Sequence, residues 1–319
     1  MLFRDLGRRL IGLVASLLVA SLLIFLAANA LPGSIANVVL GTQAGPGEVA
    51  AFEERHGLNR PLLIRYVEWL SGVIVGDFGT TFVGGRDVLG EILPRLGISV
   101  WLVVLGMFFA LAIAIPLGSF AALKRRNASG FLASMFSQAG LSIPAFWAGM
   151  WLVIVFAVNL RWLPAGGYVP LSRDPVGWIT HLVLPVTSLA LVQGSLLARY
   201  VRSAVIEVTS EDWFRTARAV GWSRLGALLR HGTRNIAISL LTVIGLQVAT
   251  LLVGAIIVEQ VFAIQGLGSR LLLAVSQRDL VLVQGIVLIL VWAVLVINFV
   301  VDVVYQAVDP RLKESGTIS

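Results

Sequence analysis

Few side chains in this sequence could carry out bond-breaking chemistry. None of the 319 residues is cysteine, so the chain can form no disulfide, no thiolate nucleophile and no cysteine metal site. The three histidines, His56, His181 and His231, are far apart, unlike the closely spaced pairs that usually ligate metals. We therefore expect surface or interfacial histidines, no bound metal and no catalytic residue.

The sequence also contains no nucleotide-binding P-loop. Such a loop ends in Gly-Lys-Ser or Gly-Lys-Thr, and the only two lysines, Lys124 and Lys313, each follow a leucine. Because the chain cannot bind ATP by this device, an ATP-driven function would take its energy from a partner protein.

The composition is that of a membrane protein. Hydrophobic residues make up 58% of the chain and charged residues 13%, and the mean hydropathy is +0.92. A helix needs about 20 apolar residues to cross the hydrocarbon core, and long continuous apolar runs favour helices over the alternating strands of a barrel. We predict an all-α membrane protein with six transmembrane helices, at residues 10–31, 96–123, 131–160, 182–198, 236–258 and 280–301.

The first apolar segment also resembles a signal peptide. Arg8 and Arg9 precede it, and Ala28-Asn29-Ala30 resembles a cleavage site. Its apolar core is longer than the roughly 7 to 15 residues of such signals, and five further spans follow. We expect an uncleaved first helix.

Basic residues predict the orientation in the membrane. By the positive-inside rule, short segments rich in lysine and arginine lie in the cytoplasm. Such segments precede span one and connect spans two with three and four with five, which places both termini in the cytoplasm. The formal net charge of +7 is then a topology signal and a candidate contact with lipid headgroups, rather than a sign of nucleic-acid binding. The residues are Arg4, Arg8, Arg9, Lys124, Arg125, Arg126, Arg202, Arg215, Arg218, Arg224, Arg230 and Arg234, with Arg311 and Lys313 in the tail.

The external segment after span one is long enough to carry structure. The sequence predicts a short helix over 48–55 that ends at Gly57, and a second helix that starts at Pro61. The second helix could lie on the membrane or face an external partner. Asp77 should hydrogen-bond its own backbone in a turn over 76–79.

Several spans contain residues that bend helices or allow close packing. Bent helices are common around translocation paths, but proline is also simply frequent in membrane helices. In span five, Gly245, Ala249 and Gly254 accompany Gln247, a pattern that favours a packing seam over a binding site. The internal prolines are Pro116, Pro144 and Pro185.

The connection from 207 to 235 predicts an amphipathic helix–turn–helix at the membrane surface. Ser210 is expected to cap a helix with Glu211 and Asp212 in its first turn, and Gly221 to end it. Ser223 is expected to cap a second helix that runs towards residue 235.

The first of these helices could serve two purposes. Trp213, Ala217 and Val220 share one side, with Phe214 beside them. The helix could face lipid with its basic residues on headgroups. Alternatively, it could dock in a groove of a cytoplasmic protein, with Trp213 and Phe214 filling a pocket and Ala217 permitting close approach.

Motifs along the whole chain resemble the membrane subunits of bacterial ABC importers, in the dipeptide/oligopeptide/nickel permease family. Val220 stands where this family often has lysine, and Gln265 where proline often precedes Gly-Leu-Gly. The resembling segments are Leu31-Pro32-Gly33, residues 57–61, 76–79, 142–147, 163–167, 212–221, 231–235, 258–262, 266–268, Arg278-Asp279 and Asp309-Pro310-Arg311.

The resemblance implies a type I ABC importer permease in the bacterial inner membrane that imports dipeptides or oligopeptides. Its implied parts are residues 1–31 with the first span, an external loop (32–95), a permease core (96–305) with a cytoplasmic coupling loop (207–235), and a cytoplasmic tail (306–319). The implied partners are a homologous second permease, two ATPase subunits that bind ATP and Mg, an external solute-binding protein, membrane lipid and peptide. The chain itself would have no cofactor and no enzymatic activity.

The resemblance also implies roles for individual residues. Nickel, glutathione or haem stay open as alternative cargo, and an ATP-independent channel or ion-coupled transporter as an alternative class, although mid-span ionisable residues are scarce. The expected ATPase-coupling residues are Glu211, Asp212, Trp213, Phe214, Arg215, Thr216, Ala217, Arg218, Gly221, His231, Arg234 and Asn235. The expected pathway or gate residues are Pro144, Gln193, Gln247, Thr250, Gly254 and Glu259. The expected binding-protein docking residues are Asp77, Phe78, Gly79, Gly266, Arg278 and Asp279.

Overall fold

The computed structural model describes residues 2–30, 35–41 and 44–308, and within them the chain is almost entirely helical. The predicted motifs at 31–33 and 309–311 and the tail beyond residue 308, with Lys313, lie outside these residues. The helices are α1 (Leu2–Asn29), α2 (Ile35–Leu40), α3 (Pro46–Arg55), α4 (Leu62–Val75), α5 (Val88–Leu123), α6 (Ala128–Leu141), α7 (Ala145–Leu152), α8 (Pro175–Ser210), α9 (Asp212–Ala219), α10 (Arg224–Ala227), α11 (Thr233–Val261), α12 (Leu267–Ser276) and α13 (Leu280–Val308).

Five helical segments of the described chain are long and apolar enough to span a membrane. A sixth span is formed if α6 and the helix over Ala145–Asn159, which bend by 100° at their junction, are counted together. This agrees with the predicted number of spans. The five are Gly7–Asn29, Val88–Leu123, Pro175–Ser210, Arg224–Val261 and Leu280–Val304.

The third predicted span, 131–160, is not one continuous helix. Pro144 lies at the N-cap of α7 with φ −64° and ψ 143°, so it starts a new helix instead of bending an existing one. Proline has no amide hydrogen to donate and disfavours helical geometry at the preceding residue. α7 continues as a π-helix over Val153–Asn159, whereas Pro116 and Pro185 do lie inside α5 and α8.

α5 and α8 both begin well before the segments that hydropathy predicts. α5 begins at Val88, about two turns before residue 96, and the Asp87 carboxylate accepts a hydrogen bond from the Gly90 amide at 2.6 Å. α8 begins at Pro175, where Asp174 accepts from the Val176 amide at 3.0 Å, and continues to Ser210. Capping residues set these boundaries, and they lie outside the apolar runs.

The described chain divides into two compact units, and α5 and α13 contribute residues to both. One unit is Met1–Ile98 with Gln265–Val296. Its core comprises six buried side chains from α5, α12 and α13, against which Phe78 packs. Within the same unit, Phe25 of α1 lies 5.5 Å from the Tyr66 ring and 5.9 Å from the Trp69 ring of α4. The core residues are Val88, Ile92, Leu267, Ala274, Leu282 and Ile286.

The second unit is Ser99–Ile264 with Ile297–Ser319, and small residues bring its helices close together. A Cβ on Gly118 of α5 would lie 2.5 Å from the Ala198 carbonyl oxygen of α8. On α11, a Cβ on Gly245 would lie 3.3 Å from Asn298, and one on Gly254 would lie 3.4 Å from Leu189. Contacts this close fit the packing seam predicted for span five.

The predicted short helices outside the spans are present. α3 ends at Arg55 and is followed by Gly57 with φ +63°, and α4 begins after Pro61. The Asp77 carboxylate accepts from the Gly79 amide at 2.8 Å, as expected for the turn over 76–79. The sequence did not predict α2.

Candidate functional site

The candidate site is the connection from 207 to 235, where α9 follows α8 almost directly. The expected cap at Ser210 is wrong. Ser210 is the last residue of α8, and its hydroxyl lies 2.8 Å from the carbonyl oxygens of Ile206 and Glu207. α8 stays helical to this point, so the hydroxyl bonds the helix it belongs to, and Glu211 occupies the N-cap of α9 without a side-chain hydrogen bond.

Two further predictions for α9 are confirmed, the position of Asp212 in its first turn and the end of the helix at Gly221. Asp212 lies in the first turn, with its carboxylate 3.5 Å from the Arg215 guanidinium. Gly221 ends the helix with φ +102°, a backbone conformation that favours glycine. The Trp222 amide then bonds the Ala217 carbonyl at 3.1 Å, and the Arg218 guanidinium donates to the Trp222 carbonyl.

The aromatic side of α9 faces its own chain. Phe214 is only 6% exposed, so the expectation that it fills a partner's pocket is wrong. Trp213 and Ala217 are partly buried, whereas Val220 is 76% exposed. Phe214 therefore anchors α9, and the side left open carries Arg215, Thr216, Arg218, Ala219 and Val220.

The second predicted helix is the start of span five. Ser223 caps it as expected and accepts from the Gly226 amide at 3.0 Å. From Arg224 the chain stays helical to Val261, through a π-helical turn at Leu228–Gly232. Gly232 fits closely in this turn, since a Cβ there would lie 3.0 Å from Val208 of α8.

Ring contacts join α9 to this π-helical turn. The His231 ring lies edge-on to Trp213, with centroids 6.3 Å apart, and to Trp222, with centroids 5.9 Å apart. Arg230 lies 5.9 Å from the Trp222 ring. Arg234 and Asn235, the next predicted coupling residues, are exposed. The resemblance predicts His231 as a site residue, but nothing in the sequence indicates that its ring contacts Trp213.

Two of the six predicted pathway residues contact each other. The side-chain amide of Gln193 in α8 donates a hydrogen bond to the side-chain carbonyl oxygen of Gln247 in α11, at 3.0 Å. Thr250 is exposed one turn further along α11. Glu259 is 1% exposed and accepts from the Ser99 hydroxyl at 2.5 Å. Pro144 lies at the break between α6 and α7, and Gly254 packs on Leu189.

Asp279 cannot present its side chain to a docking protein, which corrects the prediction for this residue. It is fully buried, and its carboxylate accepts from the amides of Phe82 at 3.2 Å, Val83 at 3.3 Å and Leu282 at 3.4 Å. It thus caps α13 and holds the loop before α5.

The other predicted docking residues differ in accessibility. Gly266 is buried, while Phe78, Gly79 and Arg278 are partly buried and Asp77 is exposed. Arg278 also has a positive φ of 53°.

The structure reveals an ion cluster that the sequence did not predict. The carboxylate of Glu91, which is 9% exposed, lies 3.0 Å from Arg86, 2.9 Å from Arg95 and 3.0 Å from Arg270. The pairings connect α5 with α12 and with the loop before α5. The i,i+4 spacing of Glu91 and Arg95 was visible in the sequence, but the third partner is 179 residues away.

Comparison with known proteins gives the family. Residues 114–314 match the family described as binding-protein-dependent transport system inner membrane component, and residues 2–103 match the corresponding N-terminal family. The chain is 38% identical over 306 residues to the glutathione transport system permease protein GsiC of Salmonella typhimurium, covering 96% of this chain and 97% of that protein. It is 36% identical over 308 residues to a putative peptide transport system permease protein of Brucella abortus, covering 96% and 98%.

A solved structure has the same fold. The inward-facing MetNI methionine ABC transporter aligns with a TM-score of 0.56 and 17% identity, over 69% of this chain and 97% of that chain. The fold is that of a multi-pass ABC importer permease. The chain belongs to the binding-protein-dependent transport system inner membrane component family, in its peptide/nickel group.

Proposed function

We propose that this chain forms half of the path by which an ATP-driven importer brings short peptides into the cell, together with a homologous second permease. An exposed polar residue within span five supports this proposal. Thr250 lies exposed on α11, one turn from Gln247, in a segment that is long and apolar enough to span a membrane. Such groups are costly in lipid and usually face another helix or a water-filled cavity.

The energy for transport comes from two ATPase subunits that bind α9 on the cytoplasmic side, where both termini also lie. The observation that carries this proposal is the burial of Phe214, which fixes α9 to its own chain and leaves its other side open. Movement of α9 would reach span five through Trp213 and His231. The chain then needs no cofactor or enzymatic activity, because ATP and Mg bind to the ATPase subunits.

The names of the relatives favour short peptides as the cargo. One relative is named as a glutathione permease and another as a putative peptide permease, and glutathione is itself a tripeptide. An external solute-binding protein would deliver the cargo and set its specificity. Nickel and haem are the other cargoes against which a dipeptide should be compared.

Reconstituted transport tests this function. Liposomes that contain both permeases and both ATPases, supplied with the binding protein, should take up a labelled dipeptide only with ATP and Mg. Replacement of Ala219, on the open side of α9, by Asp should abolish uptake and ATPase stimulation while membrane insertion is unchanged. Uptake by this chain alone without nucleotide would instead identify a channel or an ion-coupled transporter.

A further inference from the structure

An amphipathic cavity lies where α5 meets the coupling loop. Its volume is about 740 Å³, within the range of about 300–1,000 Å³ that is common for small-molecule sites. Residues of α5, the turn between α5 and α6, the end of α8, α9 and α10 line it. All of them belong to one compact unit.

The lining of this cavity combines basic and apolar side chains. Four basic side chains line it, three in the turn after α5 and one at the start of α10, and no described residue among those that line it is acidic. Pro116, Phe120 and Leu123 form an apolar wall on the same face of α5. From Pro116 to Leu123 the helix rises about 10 Å, a third of the hydrocarbon thickness. The basic residues are Lys124, Arg125, Arg126 and Arg224.

We propose that this cavity binds one anionic phospholipid, with its phosphate among the four basic side chains and an acyl chain along the apolar wall of α5. Basic pockets at the cytoplasmic ends of membrane helices suit anionic headgroups. The apolar wall favours a lipid over a free phosphate, which has no apolar part. It also disfavours an acidic protein surface, because Pro116 and Phe120 belong to the apolar helix Val88–Leu123, which is long and apolar enough to span a membrane.

The bound lipid would contact the coupling helix directly. Phe214 of α9 lines the same cavity, as does Thr209 at the end of α8. An anionic lipid would therefore stabilise the packing of Phe214 that holds α9 against its own chain. This consequence rests on the proposed coupling function, but lipid binding itself does not.

Lipid retention can be counted by native mass spectrometry on the purified importer complex. The probes are phosphatidylglycerol and phosphatidylcholine with the same acyl chains, each with and without millimolar inorganic phosphate. We expect one phosphatidylglycerol to be retained, with no competition from phosphate. The double substitution R125Q/R126Q should lower its affinity about tenfold or more, and Ser119→Phe should lower it without a change of charge by filling the cavity.

The double substitution R161Q/R173Q is the matched control, because it also removes two exposed arginines, and these lie outside the cavity and outside the segments predicted to be cytoplasmic. It should leave the affinity unchanged. The proposal is overturned if both double substitutions lose lipid equally, if the two lipids bind equally, or if phosphate displaces the lipid. It is also overturned if R125Q/R126Q keeps the lipid but releases the ATPases, since an acidic protein surface would then be the ligand. Lipid is counted without transport, so failure here leaves the proposed import function untouched.

Discussion

The ring of Trp213 in α9 lies edge-on to the ring of His231 in the π-helical turn before α11, with centroids 6.3 Å apart. This contact connects α9 to the helix that continues into span five. In the proposed function, it is the route by which movement of α9 would reach the membrane. π-Helical turns are frequent at functional sites, and their extra residue makes a helix locally adaptable.

Replacement of Trp213 by Ala should therefore reduce ATP-driven uptake while the ATPases still bind. Edge-to-face aromatic pairs contribute about 0.5–1.5 kcal/mol beyond their buried area, so loss of the pair weakens the connection without unfolding α9. His231→Ala should act similarly, and the double substitution should cost less than the sum of the two. Uptake and ATPase co-purification are the measurements. Trp162→Ala is the control, because Trp162 is 69% exposed and lies outside the connection from 207 to 235. Additive losses would contradict this route.

Phe214 and Val220 should respond differently to truncation in the purified subunit without ATPases. Phe214→Ala removes a buried ring and should destabilise the protein by about 3–5 kcal/mol. Val220→Ala should change the stability by less than about 0.5 kcal/mol, because Val220 is 76% exposed. Thermal unfolding in detergent measures both. If Phe214 filled a partner's pocket, its truncation would leave the isolated subunit as stable as before, and this result would contradict the burial described above.

Gln193 and Gln247 should be energetically coupled. Gln193→Leu removes the donor that lies 3.0 Å from the side-chain oxygen of Gln247. We expect the free energy of unfolding to fall by about 0.6 kcal/mol, as for other hydrogen bonds between membrane helices. Gln247→Leu should cost a similar amount, and the double substitution should recover part of the loss. A double-mutant cycle on thermal stability tests this. A coupling energy of zero would show that the amide pair does not join α8 to α11.

Asp279→Ala should loosen the loop before α5. The substitution removes the acceptor of the Phe82 and Val83 amides, and loss of a cap costs about 0.5–2 kcal/mol. Limited proteolysis around residue 83 should become faster. Asp77→Ala is the matched control, since Asp77 is exposed and its bond stays within its own turn. Equal proteolysis of Asp279→Ala and the unmodified protein would contradict the structural role of Asp279.

The fold was largely predictable, because membrane helices depend on long apolar runs that hydropathy detects. What hydropathy missed depends on single residues. Pro144 starts a helix where a bend was expected, and Asp87 caps α5 two turns early. The position of α9 was predictable from Asp212 and Gly221. The direction of its aromatic side was not, because burial of Phe214 depends on residues distant in sequence. The same holds for Asp279, whose partners Phe82 and Val83 are nearly 200 positions away.

Cysteine cross-linking tests most directly whether the open side of α9 binds an ATPase subunit, as proposed above. The chain contains no cysteine, so a single introduced thiol gives no background. Val220→Cys should cross-link to an ATPase that carries one cysteine in its docking groove, and Trp162→Cys should not. Efficient cross-linking at Trp162 with none at Val220 would contradict the account.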